Sequence, residues 1–247
     1  MEIKELKNKE EKIRLLIEKL SDVNAERYPI YDGINDIDQY LKAKYKILFV
    51  LKEPYDEENG EGGNWDIKEL LGKGGYGKAS KTFYPLIYIA YGILNGFQTW
   101  NDMEYVEKNF EEMNKSLYQV SYINISKLPS LNVTKTDFND IVNAYEMDKK
   151  NDNIILTQID SYEPDIIIGF GIGEILTADL VLKCIDDDDF YYSDNINGCT
   201  SKKYPNTLYI AAYHPAQTKM QQPEYVDSII RIAKNWVNKK NIDTMVS

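Results

Sequence analysis

One histidine and two cysteines in 247 residues are few, and that scarcity removes several chemistries at once. A zinc site needs its His, Cys or carboxylate ligands grouped, and His214, Cys184 and Cys199 form no such group. A serine triad would have to recruit the lone His214, and no Gly-x-Ser-x-Gly elbow accompanies it. Two cysteines without a signal peptide suggest free thiols in a reducing compartment, with a disulfide as the alternative. No apolar run approaches the ~20 residues that span a bilayer. The opening Met1-Glu2-Ile3-Lys4-Glu5 also lacks the apolar stretch of a secretory signal. These absences predict a cytoplasmic protein with no membrane partner, no metal and no cofactor.

Positive charge is short too: 29 Lys and Arg against 40 Asp and Glu leave a net charge of −11. Affinity for nucleic acid rests largely on phosphate contacts. The balance therefore argues against tight, non-specific DNA binding and allows at most a local basic strip. Acidic residues concentrate at Asp186-Asp187-Asp188-Asp189, while lysines gather at Lys68, Lys73, Lys78 and Lys81. Such clusters are by default solvated surface. The run Gly169-Phe170-Gly171-Ile172-Gly173 has the wrong spacing for a dinucleotide loop and follows a late strand.

Against these absences stand a 43% hydrophobic content and twenty tyrosines, the composition of an ordered globular chain. Four short apolar runs read as strands: Ile47–Leu51, Val120–Asn124, Asp165–Phe170 and Thr207–Ala212. None alternates strictly, as expected of strands covered on both faces. Helical patterns lie between and after them, at Phe83–Leu94, Met103–Leu117, Asp137–Tyr162, Glu174–Ile185 and Glu224–Val237. An N-terminal helix at about Glu5–Leu20 reads as an accessory element. Strands alternating with helices predict one α/β domain over 1–247, a three-layer α/β/α fold around a central four-stranded parallel sheet.

In such sheets ligands bind beyond the C-terminal ends of the strands. Lys52-Glu53-Pro54-Tyr55 follows the first strand. Asn124 closes the second and leads into Ser126-Lys127-Leu128-Pro129. Gly171 follows the third, and His214-Pro215-Ala216 the fourth. A carboxylate, an amide and the sole histidine thus fall on one sheet edge.

These segments resemble, in order and spacing from about Lys46 to Gln217, the motifs of the uracil-DNA glycosylase superfamily. Lys52-Glu53-Pro54-Tyr55 is similar to the Gln-Asp-Pro-Tyr and Gly-Glu-Ala-Pro-Gly loops of that family. His214-Pro215-Ala216 resembles its His-Pro-Ser or His-Pro-Ala motif, and Asn124 to Pro129 its Asn-x-x-Lys-x-x-Pro segment. The chain departs from the pattern at Leu51-Lys52, and at Gln217-Thr218-Lys219 where other members carry an intercalating leucine. It also lacks the four cysteines of the iron–sulfur branches.

The resemblance implies a DNA glycosylase that hydrolyses the bond between deoxyribose and uracil or a related flipped-out base. Glu53 would hold water or stabilise the positive sugar; otherwise it is a capping or surface residue. His214 would donate to the departing base; otherwise it is a core histidine. Asn124 would pair with the base edge or simply close a turn. Trp65 is the stacking candidate, Tyr55 a pocket wall, and Lys52 a further substrate contact. Ser126, Lys127, Gln217, Thr218 and Lys219 would face DNA. Two other readings remain: a glycosylase for another modified or damaged base, and a non-catalytic nucleic-acid- or protein-binding member of the fold.

Overall fold

The computed structural model describes residues 1–21, 27–56, 62–71, 75–130, 137–180 and 190–246. Its strands are β1 (Gly33–Ile34), β2 (Ile47–Leu51), β3 (Val120–Asn124), β4 (Ile166–Phe170), β5 (Phe190–Ser193), β6 (Ile196–Thr200) and β7 (Leu208–Ala212). Its α-helices are α1 (Ile3–Ile17), α2 (Ile37–Lys42), α3 (Ser80–Leu94), α4 (Phe110–Asn114), α5 (Phe138–Lys150), α6 (Ile154–Tyr162), α7 (Gly173–Leu180) and α8 (Gln222–Val246). The strands form one sheet in the order β1-β3-β2-β4-β7-β6-β5.

The four expected strands are its centre and run parallel, β3-β2-β4-β7. Every residue of β2, β3 and β4 is buried, which explains why these strands lack strict apolar–polar alternation. Successive residues still point to opposite faces. Ile47, Phe49 and Leu51 pack with α3 and α8, while Leu48 and Val50 pack with α1, α5, α6 and α7. Helices therefore cover both faces of the sheet.

Several expectations need correction. Among the described residues the sheet has seven strands, not four, because β1, β6 and β5 extend it antiparallel at its edges. β1 is only two residues long and carries no readable period. β5 and β6 join through Asp194-Asn195, with Asp194 at φ +53, the backbone that a two-residue hairpin needs. The helix expected over Asp137–Tyr162 is two helices, α5 and α6. Asn153 adopts φ +50 between them, and the Asp148 carboxylate accepts from the Ile154 and Ile155 N–H groups at 2.7 and 3.0 Å. The helix expected at Met103–Leu117 shrinks to α4 followed by a 3-10 segment, Lys115–Gln119. Helix α1 packs through Leu6, Ile13 and Ile17, which are buried in one of the two cores. Cys199 on β6 is disulfide-bonded, not a free thiol. Cys184 and the Asp186–Asp189 run lie outside the described residues.

Helices α3 and α8 approach closely at Gly92. A Cβ there would sit 2.5 Å from Ile230 Cδ1 and 2.8 Å from the Gln98 carbonyl oxygen. Overpacking costs about 1–3 kcal/mol, and alanine returns roughly 1 kcal/mol of helix propensity. Gly92→Ala should therefore lower stability by about 1 kcal/mol in urea unfolding. Unchanged or higher stability would mean that α3 and α8 do not meet at this point.

Candidate active site

The parallel register brings the expected residues to one rim. Leu51 pairs with Asn124, Val50 with Gly169, and Phe170 with Ala212, so the four strands finish nearly level. Neighbouring strands lie about 4.8 Å apart. The ends of β2 and β7 therefore stand about 10 Å apart across β4. Lys52-Glu53 leaves one side of that gap and His214 the other, and Asn124 adjoins from β3.

Asn124 is the most telling of these residues. It is 1% exposed, and neither its side-chain oxygen nor its nitrogen has a hydrogen-bond partner. Glu53 Oε1 is likewise buried and unpartnered. An unmade bond at a buried polar group costs about 1–3 kcal/mol, and native proteins satisfy nearly all such groups. Side chains left in this state at a strand-end rim are groups that a ligand can complete.

The backbone of Asn124 is held by a network that the sequence did not reveal. Asp32, just ahead of β1, accepts from the Asn124 backbone N–H at 2.7 Å. The same carboxylate takes both Lys127 Nζ contacts at 2.9 Å and Gln158 Nε2 at 3.0 Å. Lys127 also donates to Gln158 Oε1 at 2.8 Å. The Lys127 and Asp32 side chains are only 2% and 0% exposed. Burial draws the Lys127 pKa below the ordinary lysine value, with Asp32 pulling it back up. The phosphate contact expected of Lys127 does not fit this placement. Its ammonium is an internal clamp.

His214 is half-buried beyond β7. Its Nδ1 accepts from the Ala216 backbone N–H at 3.2 Å. A neutral imidazole has one donor and one acceptor nitrogen, so Nε2 carries the proton and is the donor available to a ligand. Burial lowers the imidazole pKa to about 4, and the Lys52 charge adds to the lowering. The ring is neutral throughout the physiological range. No model of a known protein family matches this chain, and no curated protein matches it in sequence.

Surrounding loops are tied to the rim by hydrogen bonds. The Lys52 and Leu51 carbonyls accept from Ser126 N and Ile125 N at 2.8 and 2.9 Å, and Pro54 O accepts from Ser130 N at 2.9 Å. Asp56 Oδ2 accepts from Gly63 N and from the Trp65 indole N–H, at 2.6 and 2.9 Å. The indole is therefore drawn beside the Glu53 loop, partly buried against the α3–α8 core. Gly63 has φ +99, and a Cβ there would fall 1.9 Å from the Tyr28 carbonyl oxygen, so only glycine fits. Tyr76 and Phe83 stack on each other, with centroids 4.3 Å apart, inside that core. Tyr55 is 44% exposed.

The expected DNA contacts separate into two kinds. Thr218 and Lys219 are exposed, and the Lys219 ammonium sits 4.6 Å from the Tyr213 ring centroid. Ser126 Oγ donates to Leu128 O. Gln217 folds onto its own loop: its oxygen accepts from Lys219 N and Met220 N, and its amide donates to Met220 O. A groove of about 250 Å³ runs between this loop and the start of α3, with Lys81 on its far wall. Asp32, Gln158 and Arg27, whose guanidinium donates to Pro129 O, are site-building residues that sequence reading missed. Each acts on a partner about thirty to over a hundred residues away, so no local signal marks them.

Because His214 is the sole histidine, its titration can be read directly by proton NMR. Its midpoint should lie near pH 4, and a midpoint at or above 6.5 would contradict the burial and the Lys52 contact. In the unfolded chain the imidazole protonates near pH 6.5. The unfolded state therefore binds more protons between about 6.5 and 4, and stability should fall as pH drops through that window.

Proposed function

We propose that this protein is a DNA glycosylase of the uracil-DNA glycosylase type, with a three-layer α/β/α fold, acting on uracil or a related base turned out of the strand. The observation that carries the reading is the buried, unpartnered amide of Asn124 on the same rim as Glu53 and neutral His214. A pyrimidine held there would present a carbonyl and an N–H to the amide, which offers one acceptor and two donors. The parallel core with helices on both faces supports the fold assignment.

Hydrolysis breaks the bond between C1′ and the base nitrogen, and the electron pair leaves with the base. The sugar becomes cation-like, and the Glu53 carboxylate stabilises it and accepts the proton of the attacking water. The water oxygen bonds to C1′. His214 Nε2–H meets the growing negative charge on the base oxygen, a donor fixed before the reaction begins. The base then takes up a proton on release. Trp65, whose indole N–H is bonded to Asp56 at the end of the Glu53 loop, would serve as the stacking face. Thr218 and Lys219, with Lys81 across the groove, are the side chains left to grip the phosphates.

The test is release of abasic product from oligonucleotides carrying a panel of modified bases. Wild-type protein should yield product from at least one base. Glu53→Gln and His214→Ala should each lower the rate by about 10²-fold or more. Product from a modified base with none from uracil would redirect the substrate assignment. The net charge of −11 and the burial of Lys127 favour one other reading, a non-catalytic binding member of the fold. Absence of product from every base in the panel would favour that reading and defeat the glycosylase.

A further inference from the structure

The residue after β2 is a lysine whose side chain runs toward His214. Lys52 is half-buried, and its backbone is fixed by the bond from Ser126 N to its carbonyl at 2.8 Å. Its side chain runs across the end of β4. A Cβ built on Gly171 would lie 2.9 Å from Lys52 Cε and 3.5 Å from both Cβ and the backbone N of His214. Gly171 has φ +70, a backbone that disfavours any side chain. A residue without a side chain thus leaves the space in which the lysine stem and the histidine come together.

The ammonium has no described counter-ion. Among the described residues no carboxylate forms an ion pair with Lys52, although its sequence neighbour is Glu53. Its charge is the one that bears on the imidazole. Lys127, the other lysine of the rim segments, is by contrast fully engaged by Asp32 and Gln158.

We propose that the Lys52 ammonium is a second stabiliser of the departing base anion beside His214, so that the site takes lactam bases that leave as anions. This rests on the glycosylase reading above. In the transition state the electron pair of the glycosidic bond spreads onto the ring oxygens of the base. An imidazole N–H and an ammonium on one side of the base then share that charge in a partly desolvated site, where charged donors act most strongly. The same cation repels a base that must first be protonated to leave. Uracil, 5-substituted uracils and 6-oxopurines belong to the accepted class. Positively charged N-alkylated purines belong to the rejected one.

The experiment pairs a leaving-group series with a titration. Wild type, Lys52→Met, Lys52→Gln and Lys52→Arg are compared on oligonucleotides carrying uracil or 5-fluorouracil, whose anion is the more stable. Lys52→Met and Lys52→Gln should lose about 10²-fold on uracil and clearly less on 5-fluorouracil, while Lys52→Arg keeps most activity. The proton NMR midpoint of His214 should rise in Lys52→Met, because a nearby positive charge has been removed. Equal losses on both bases, or no loss, would overturn the proposal, as would an unmoved midpoint. If wild type releases neither base, this proposal falls, and the glycosylase reading falls with it only where no base of the wider panel is released. An active wild type with unaffected Lys52 variants overturns this proposal alone.

Discussion

A single buried carboxylate organises the end of the sheet. Asp32 reaches from the edge of β1 to the β3 backbone, fixes the Asn124 N–H, and holds Lys127 and Gln158 in the same grasp. An ion pair so fully removed from water carries a heavy desolvation cost, and it survives only when the remaining donors and acceptors are also matched. Here they are: the Lys127 ammonium meets three oxygens, and Gln158 closes the ring. With the main chain of Asn124 anchored this way, its side-chain amide is left without a partner. Tight satisfaction below the rim and open valence at the rim are two parts of one arrangement.

The rim is electrostatically asymmetric. On one side a buried Glu53 oxygen without a partner can meet positive charge. Across the gap the Nε2–H of His214 can meet negative charge, and the Lys52 side chain, which starts beside Glu53, reaches toward it over Gly171. Glu53 and His214 follow strands about two strand spacings apart, which suits a nucleoside whose sugar and base acquire opposite charges as the bond between them breaks. The depressed basicity of His214 follows from the same layout. A buried ring beside a cation remains a neutral donor, and the Ala216 N–H decides which nitrogen donates.

Much of the frame was legible in the sequence. Ile47–Leu51 and Val120–Asn124 fall where they were expected, because strands buried on both faces read as short, mainly apolar runs without strict alternation. Positions after those strands follow from topology, so Glu53, Asn124 and His214 could be placed on a common edge before any coordinates. The edge strands were not legible: β1 is too short to show a period, and β6 carries Asn197 and Gly198 in its middle. The break between α5 and α6 was written in Asn151-Asp152-Asn153, whose residues favour turns, but the flanking apolar period masked it. The role of Lys127 could not be read at all. Its partner Asp32 is 95 residues away, and a lysine in a polar loop gives no sign of burial.

The claim on which the functional reading turns is that the Asn124 amide is unpaired because a base completes it. Its most direct test is a crystal structure with a single-stranded oligonucleotide carrying 2′-fluoro-2′-deoxyuridine, whose electron-withdrawing fluorine slows departure of the base. The uracil ring should lie with its polar edge about 3 Å from Asn124 Oδ1 and Nδ2, and with an oxygen at a similar distance from His214 Nε2. A base bound elsewhere, or an Asn124 amide already bonded to protein groups in the complex, would contradict it.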